Sequence, residues 1–574
     1  MAQARLLHQH GQADQAQDIC NKILAREPAH VDALNLLGLI LQASGRHKLA
    51  VKTLNRAIAA DALNAACHYD LAFSLQALDR EDEAVVHFKQ AIALGAALKP
   101  AEDLILRNPA VAECVDRIEA KWPLPVRPDE LFAGDSLQSI AGDLYLRCAL
   151  STVPLHRAPL EKLLSLLRAV LLHSAVSDFT ASDGAMVRLL CAVAQQCFIN
   201  EYVFAQNDEE TRQSAELRDV LLQKLRDGDA VAPMLLAAVA AYFPLHSLPL
   251  ADLMLDREWP EIAAEIIRQQ VREPLAEAAD RESIPALTGV EDSVSLQVMQ
   301  QYEENPYPRW TINPAVAREA AMRVGSGGPP HGEDILIAGC GSGQHVFEVM
   351  RHFPQARVLA VDISLSSLAY ARRKTGEAGL RNVDYAQADI LKLGTIGRTF
   401  DRIEAVGVLH HLAEPEAGWR ILVSLLRAGG EMHVGLYSET GRGGIAAIRA
   451  FIAERGYRPT AEDIRKCRQH VLRDPDEGRW RRAIESPDFY SMSGCRDLLF
   501  HVMEHRFTIP RIKAFLDEEK LSFLGFNTDP RVIERFQARF AGDEALTDFD
   551  KWQAFEADNP QTFRRMYVFM VRKN

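Results

Sequence analysis

The sequence has few cysteines and no pattern that would join them. The nine cysteines of the 574-residue chain are spread along its length, without a CxxC pair and without a cysteine–histidine cluster at the spacing of zinc ligands. Zinc fingers and disulfide-bonded secreted scaffolds both need such clusters, so the sequence excludes these two classes. We therefore expect a cytoplasmic protein that binds no metal.

A net positive charge and a long apolar run are also missing. The net charge is −13, which provides no overall field toward nucleic acid or an anionic membrane. The longest apolar run, Met234 to Phe243, has ten residues, whereas a membrane-spanning helix needs about 20. No apolar segment typical of a signal peptide stands near the start. We expect neither nucleic acid nor a membrane among the partners.

What is present is the composition of a globular protein with several domains. Hydrophobic residues make up 48% of the chain and charged residues 25%, which excludes a mainly disordered protein. At roughly 150 residues per domain, the length predicts about four domains, or fewer and larger ones.

The first hundred residues repeat with a period of 34. Turn residues, small residues and apolar residues recur in phase, namely Gly11, Gly45 and Asp79, then Ala16, Ala50 and Ala84, then Cys20, Leu54 and Phe88. Each unit reads as a helix, a turn and a helix. Residues 1–97 thus resemble the tetratricopeptide repeat in an α-solenoid of three units. The resemblance implies a groove for a protein or peptide partner; dimerisation of the chain into a homo-oligomer, or capping of the next domain, is the alternative.

Residues 98–295 are helical in period but do not repeat. Apolar stripes at helical spacing run through 160–172, 186–204, 217–225 and 231–243, and proline-containing segments separate them. The pattern predicts a helical middle domain without visible chemistry.

The pattern changes at Glu333. An apolar strand from Ile335 to Ala338 leads into a glycine turn and then a helix, so that backbone N–H groups at the helix start face a ligand above the strand. A dinucleotide fingerprint would need glycine or alanine at the position of Gln344. Its absence disfavours NAD and favours a bulky ligand such as a nucleoside with an amino-acid tail.

Acidic residues stand where the next two strands end. The strand from Arg357 to Val361 is followed by Asp362, whose carboxylate can accept both hydrogen bonds of a ribose diol. Asp389 follows a third strand, where it can meet an adenine amino group. Two further strands follow, and the alternation of strands with helices predicts a parallel sheet with the ligand at its carboxyl edge.

This array resembles a class I, seven-stranded S-adenosylmethionine-dependent methyltransferase, with strands six and seven at 522–526 and 566–573. The resemblance implies a Rossmann-like domain over 333–574 that uses S-adenosyl-L-methionine and releases S-adenosyl-L-homocysteine. It places at the cofactor Gly339, Cys340, Gly341, Gly343, Asp362, Ile363, Asp389, Ile390 and Gly407. Ala338 departs from the family pattern, since many members carry an acid there. A sheet that kept its shape and lost its function is the alternative.

Two segments are expected to form the substrate-binding part of the site. The segment QYEENPYPRW, within a linker at 296–332, holds prolines that stiffen it, and in similar methyltransferases this stretch closes over the cofactor as a lid. The other segment is a helical insert at 440–515, because loops at the carboxyl edge carry specificity. The candidate substrate contacts are Tyr302, Arg309, Trp310, Tyr490 and Arg496. An aromatic linker pinned on the sheet domain is the alternative for the first segment.

Methyl transfer from a sulfonium needs alignment more than a catalytic dyad, because the leaving group is already activated. If the nucleophile is an amine, a histidine or tyrosine could accept its proton. The candidates are His410, His411, Tyr307 and Tyr437; a structural role for the histidine pair is the alternative. The expected function is methylation of a protein or peptide side chain recruited by the repeats. A small-molecule methyltransferase with repeats used for oligomerisation, or a non-catalytic scaffold, remains open.

Overall fold

The computed structural model describes residues 1–95, 101–124, 126–132, 134–182, 184–311, 332–474, 476, 478–540 and 542–574. They divide into two units, one of Met1–Val271 with Thr311, the other of Arg272–Trp310 with residues 332–574. The predicted boundary between 97 and 98 lies outside the described residues, as do residues 312–331 of the linker predicted at 296–332. Along the described ranges, no helix is both long and apolar enough to cross a bilayer.

The first unit begins with six helices in three antiparallel pairs. They span Ala2–Gln9, Ala13–Arg26, Val31–Ala43, His47–Ala60, Ala65–Gln76 and Glu81–Gly95. The small residues of the 34-residue period are buried between them. Gly38 shows why small residues recur, because a Cβ at this position would stand 2.6 Å from Leu54 Cδ2. The predicted helix–turn–helix repeats are confirmed.

The remaining helices of the first unit form a layer whose sequence does not repeat. They span Ala101–Ile105, Pro109–Lys121, Pro128–Leu131, Ser136–Gly142, Leu144–Thr152, Ala158–Ser177, Ala185–Ile199, Asp208–Asp227, Pro233–Ala240 and Glu261–Ile267. The interior of this layer holds Arg168, which donates to Glu210 at 3.0 Å and lies over the ring of Tyr242. A buried charge is tolerated here because it is paired.

The second unit is built on a seven-stranded sheet in the order β3-β2-β1-β4-β5-β7-β6. The strands are β1 Asp334–Ala338, β2 Arg357–Asp362, β3 Val383–Gln387, β4 Phe400–Val406, β5 Leu426–Tyr437, β6 Leu521–Phe526 and β7 Met566–Lys573. The first five are parallel, as predicted. β7 runs antiparallel between β5 and β6, so the complete sheet is mixed.

Both faces of the sheet are covered. Alternate residues of β1 and β2 enter different cores, with Leu336 and Leu359 in one core and Ile335 and Val358 in the other. The covering helices are Gln344–His352, Leu365–Glu377, Pro415–Leu425, Ile509–Glu518, Pro530–Arg539 and Phe549–Asp558. The helices Glu273–Arg281 and Ser293–Glu304 pack against Leu365–Glu377. Burial on two sides explains why these strands read as continuous apolar runs.

The segment before the lid belongs to the sheet unit, although the sequence predicted that the middle domain extends to residue 295. Leu287 donates its backbone N–H to Gln387 at 2.9 Å, and Gln387 donates to Pro285 at 2.9 Å. These bonds attach residues 285–287 to the edge of the sheet at β3, within the second unit that begins at Arg272.

The insert between β5 and β6 is helical, as predicted. Its helices span Gly443–Arg455, Ala461–Arg473, Arg481–Ile484 and Met492–Phe500. A short 3₁₀ turn at Pro487–Tyr490 precedes the last of them.

Candidate active site

A cavity of about 520 Å³ lies at the carboxyl ends of the parallel strands. Its volume falls in the range of small-molecule and cofactor sites. Seven of the nine predicted cofactor residues line it, namely Gly339, Cys340, Asp362, Ile363, Asp389, Ile390 and Gly407. They converge because parallel strands all end at the same edge of the sheet.

The other two glycines, Gly341 and Gly343, are not among the described lining residues and instead shape the turn. The backbone N–H of Gly341 donates to Asp362 Oδ2 at 2.8 Å. Gly343 has a φ of +89° and precedes the helix Gln344–His352, and a Cβ on it would stand 2.7 Å from Ala371 Cβ. Only glycine fits this left-handed, crowded position without strain.

Asp362 is buried with both carboxylate oxygens engaged. Oδ2 accepts from Gly341, and Oδ1 accepts the Ser364 N–H at 2.9 Å. Burial raises the pKa of this carboxyl, and the two backbone N–H groups oppose that rise. An ionised carboxylate offers about four acceptor positions, so it retains capacity for a ribose diol. The residue therefore fits its predicted partner.

Asp389 closes another part of the cavity. Its Oδ1 accepts the Leu391 N–H at 2.9 Å, and its own N–H donates to Thr288 at 2.8 Å. Asp389 is 2% exposed, and the apolar residues Ile363 and Ile390 line the same cavity. A carboxylate beside an apolar slot fits a purine with an exocyclic amino group.

The two candidate histidines have different surroundings. His411 lines the cavity, donates from Nδ1 to the Met503 carbonyl at 2.8 Å and stacks on His501 at 3.7 Å. His410 is fully buried against the Tyr437 ring, with centroids 3.7 Å apart, and is not among the described lining residues. Burial lowers the pKa of His411 to about 4 and also lowers that of His410. Both rings are neutral at physiological pH.

The lid segment is tied to the glycine turn. Ser342 donates its backbone N–H to the Tyr307 carbonyl at 3.2 Å, and Trp310 Nε1 donates to the Ser342 carbonyl at 2.7 Å. Tyr302, Tyr307 and Pro308 line the cavity. The rings of the lid are thereby placed on the cofactor side of the sheet.

The lid tyrosines reach across to the insert. The Tyr302 hydroxyl donates to Asp497 Oδ1 at 2.6 Å, and the Tyr307 hydroxyl donates to Asp488 Oδ1 at 2.9 Å. Tyr437, at the end of β5, also lines the cavity. Three candidate residues from two distant parts of the chain, the lid and β5, thus share one cavity.

The structure does not bring the other four predicted substrate residues to the described cavity wall, because each has a structural partner elsewhere. Trp310 is buried against the rings of Phe347 and Tyr370. The rest are Arg309, whose guanidinium lies over Tyr370; Tyr490, whose hydroxyl donates to the Ile484 carbonyl; and Arg496, which pairs with Glu304 at 2.6 Å.

Sequence reasoning missed Asp497. This acid is 3% exposed and lines the cavity. It lies on the helix Met492–Phe500 among buried apolar residues. An acid on the apolar face of a helix is rare without a partner or a function, and that position was the available signal.

Two groups of described residues have the spacing of metal ligands, His345–Glu404–His433 and His411–Asp497–His501. In the first group Glu404 accepts from Arg402 at 2.6 Å and from His345 at 2.9 Å. Burial alone would lower the pKa of His345, but hydrogen bonds to Glu348 and Glu404 outweigh burial and raise this pKa to about 9. The cations already compensate the carboxylate, so this group fits an ion-pair network rather than a metal site.

The second group is also explained by hydrogen bonds. The Met503 N–H donates to His501 Nδ1 at 3.1 Å, so the neutral ring carries its proton on Nε2. That nitrogen lies 3.1 Å from the Tyr302 hydroxyl and donates to it. A protonated Nε2 has no lone pair for a metal ion, so the donor set does not fit one.

Comparison with known proteins agrees with these features. Residues 335–430 match the family described as "Methyltransferase domain", and residues 9–91 match "Anaphase-promoting complex, cyclosome, subunit 3". An uncharacterized protein of Synechococcus is 28% identical over 46% of this chain and 68% of its own length. A ubiquinone biosynthesis O-methyltransferase of Methylocella silvestris is 29% identical over 29% of this chain and 72% of its own.

Among solved structures, PKMT2 from Rickettsia typhi is similar with a TM-score of 0.35 and 17% identity. The alignment covers 46% of this chain and 54% of that one, so the present chain spans about half of its length. The family match over residues 335–430 and the seven-stranded sheet together identify an S-adenosylmethionine-dependent methyltransferase domain in the second unit, and tetratricopeptide-like helical repeats precede it in the chain.

Proposed function

We propose that this chain methylates a side chain of a protein or peptide that its repeats recruit. The observation that carries the proposal is the joining, in one chain, of tetratricopeptide-like repeats and a methyltransferase cavity walled partly by a lid and an insert. Repeats of this class present extended concave surfaces to partners.

The repeat helices offer features that suit a partner. Four large apolar side chains of this region are more than 40% exposed, namely Leu6, Leu49, Phe73 and Val86. Polar side chains cross between the helices Val31–Ala43 and Ala65–Gln76, where Asn35 donates to Asp70 at 2.8 Å and Gln42 donates to Ser74 at 2.7 Å. These bonds hold neighbouring repeats in a defined register and would support a preformed partner surface.

Different residues of the cavity would bind the cofactor and position the substrate. Asp362 and Asp389 would hold the ribose and adenine of S-adenosylmethionine. When bound, the cofactor supplies a methyl group on a sulfonium, a carbon that is already activated for displacement. Tyr302, Tyr307 and Tyr437 would position the nucleophile and exclude water, since alignment supplies most of the rate in such a reaction.

The cysteines support action in a reducing compartment. All nine lie within the described ranges, are buried and form no disulfide there. Thiols of this kind persist unoxidised in the cytoplasm, which we propose as the place of action.

The test is transfer of labelled methyl groups into a cell lysate, followed by separation of proteins from small molecules. We expect label in protein with the full chain and none with Asp362→Ala. Label only in small molecules would favour the small-molecule alternative. Absence of label, with normal binding of S-adenosyl-L-homocysteine by calorimetry, would favour the scaffold.

A further inference from the structure

One wall of the cavity joins aromatic rings to a buried acid. It consists of Tyr302 and Tyr307 from the lid, Tyr437 from β5 and Asp497 from the insert, and we refer to it as the tyrosine–aspartate wall. Burial raises the pKa of all three tyrosines above the ordinary value, so their hydroxyls stay protonated and uncharged. The wall therefore carries the charge of its aspartate alone.

No arginine or lysine of the described ranges forms an ion pair with Asp497, because the nearby cations have other partners. Arg442 and Arg449 both pair with Glu504, and Arg496 pairs with Glu304. A carboxylate that is 3% exposed and has no cation is costly in an apoprotein. A positive charge that arrives with a ligand would stabilise the ionised form of such a group.

The hydrogen-bond directions at the wall point to the same partner. The Met503 N–H donates to His501, His501 Nε2 donates to the Tyr302 oxygen, and the Tyr302 hydroxyl donates to Asp497 Oδ1. Every proton of this relay is thereby assigned, and the second carboxylate oxygen of Asp497 has no protein donor among these bonds. It presents an acceptor to the cavity, which the rings of Tyr302 and Tyr307 also line, and such rings attract cations. The ring of Tyr437 already has the guanidinium of Arg442 over it, at 3.8 Å.

We propose that the tyrosine–aspartate wall binds a protonated primary amine of the substrate and that Asp497 accepts its proton. The inference rests on the proposed function and specifies its substrate class. One proton moves from the ammonium nitrogen to Asp497, so the ammonium loses its positive charge and the carboxylate its negative charge. The nitrogen is left with the lone pair that a nucleophile needs.

The charged groups around Asp497 suit this role. Burial raises its pKa to about 7, whereas the Tyr302 hydrogen bond and Arg442 lower it and Asp488 and Glu504 raise it. A base with a pKa near neutrality is well matched to proton transfer at physiological pH. His411 and His501, which pack on each other nearby, are weaker bases, since burial lowers the pKa of both.

Other substrate groups fit the wall less well. A carboxylate would be repelled by Asp497, and a neutral hydroxyl would leave the aspartate without its cation. An ammonium group brings three N–H donors and the missing charge together.

The first experiment is calorimetry on the full chain saturated with S-adenosyl-L-homocysteine. The probes are Nα-acetyl-lysine amide and, as a neutral analogue that lacks the side-chain amino group, Nα-acetyl-norleucine amide. We expect the lysine probe to bind at least tenfold more tightly than the norleucine probe, and Asp497→Asn to remove that difference. Binding should also strengthen as the pH rises through about 7 in the wild type and not in the variant, because the carboxylate ionises there.

Two controls keep this result interpretable. Asp517→Asn removes an exposed acid elsewhere in the same unit and should leave probe binding unchanged. Affinity for S-adenosyl-L-homocysteine reports whether Asp497→Asn folds, and if it does not, Asp497→Glu replaces it and should retain the preference for the lysine probe. Equal binding of the two probes by the wild type, or an unchanged preference in a folded Asp497→Asn, would overturn the inference.

The second experiment identifies the methylated group in labelled lysate protein. We expect label that survives alkali and elutes, after hydrolysis, with a methylated primary amine. Label released by alkali would indicate a methyl ester, which overturns the amine inference and leaves protein methylation standing. Label found only in small molecules would overturn the proposed function itself.

Discussion

The repeats and the methyltransferase domain place their polar groups differently. In residues 1–95 the helix pairs form between neighbours in sequence, and even the buried Asp70 is bound by Asn35 of the preceding repeat. In the second unit, Tyr302, Asp362 and Asp497 come from distant parts of the chain and line one cavity. A local repeat provides a surface, whereas a parallel sheet gathers remote residues into an enclosed site.

The two regions should differ most in how much stability they lose when a turn glycine is replaced. Gly45 and Gly343 both have positive φ, but a Cβ on Gly45 meets nothing within 4 Å while one on Gly343 meets Ala371. We expect Gly45→Ala to lower the free energy of unfolding by about 1 kcal/mol and Gly343→Ala by about 3 kcal/mol, since crowding adds to backbone strain. Urea denaturation measures both. Equal losses would show that the turn of the sheet domain is no more constrained than that of a repeat.

Cofactor affinity should depend on the cavity alone. Asp362→Ala should weaken binding of S-adenosylmethionine by about 1.5 to 3 kcal/mol, the cost of losing hydrogen bonds to a charged acceptor. It should also lower the free energy of unfolding by about 1 to 3 kcal/mol, because the N–H groups of Gly341 and Ser364 lose their acceptor. The matched control is Asp384→Ala, which removes an exposed acid from the neighbouring strand β3. Calorimetry checks both variants, and an unchanged affinity in Asp362→Ala would refute the role of this residue.

Deletion of residues 1–97 should separate recruitment from cofactor binding. Because repeat units contact mainly their neighbours, we expect cofactor affinity to stay at the wild-type value. The rate of transfer into lysate protein should fall about tenfold at limiting substrate, because losing a docking interaction worth about 1.4 kcal/mol weakens substrate binding tenfold. Full activity of the truncated chain would instead assign the repeats to capping or dimerisation.

The smallest effect should come from one lid hydroxyl. Tyr307→Phe removes the donor to Asp488 and keeps the ring, so we expect turnover to fall a few-fold with cofactor affinity unchanged. Tyr307→Ala removes the ring as well and should reduce both. Single-turnover rates and dissociation constants for the two variants measure the split, and wild-type values in both would place the lid outside the reaction.

Features formed by residues close together in the sequence could be predicted. The strand, glycine turn and helix around Gly339 are local, and the acids Asp362 and Asp389 follow directly from the strand ends. The partners of the lid could not be predicted, because Tyr302 and Asp497 stand 195 residues apart and meet only through packing of the insert. The same limit applies to 285–287, which pairs with β3 although it reads as part of a helical region.

The position of β7 has a consequence for synthesis on the ribosome. Because this strand of residues 566–573 lies between β5 and β6, the sheet cannot close until those residues leave the exit tunnel. Each repeat, by contrast, can fold as soon as it and its neighbour have emerged. The nascent chain would therefore hold folded repeats while the sheet domain is still incomplete.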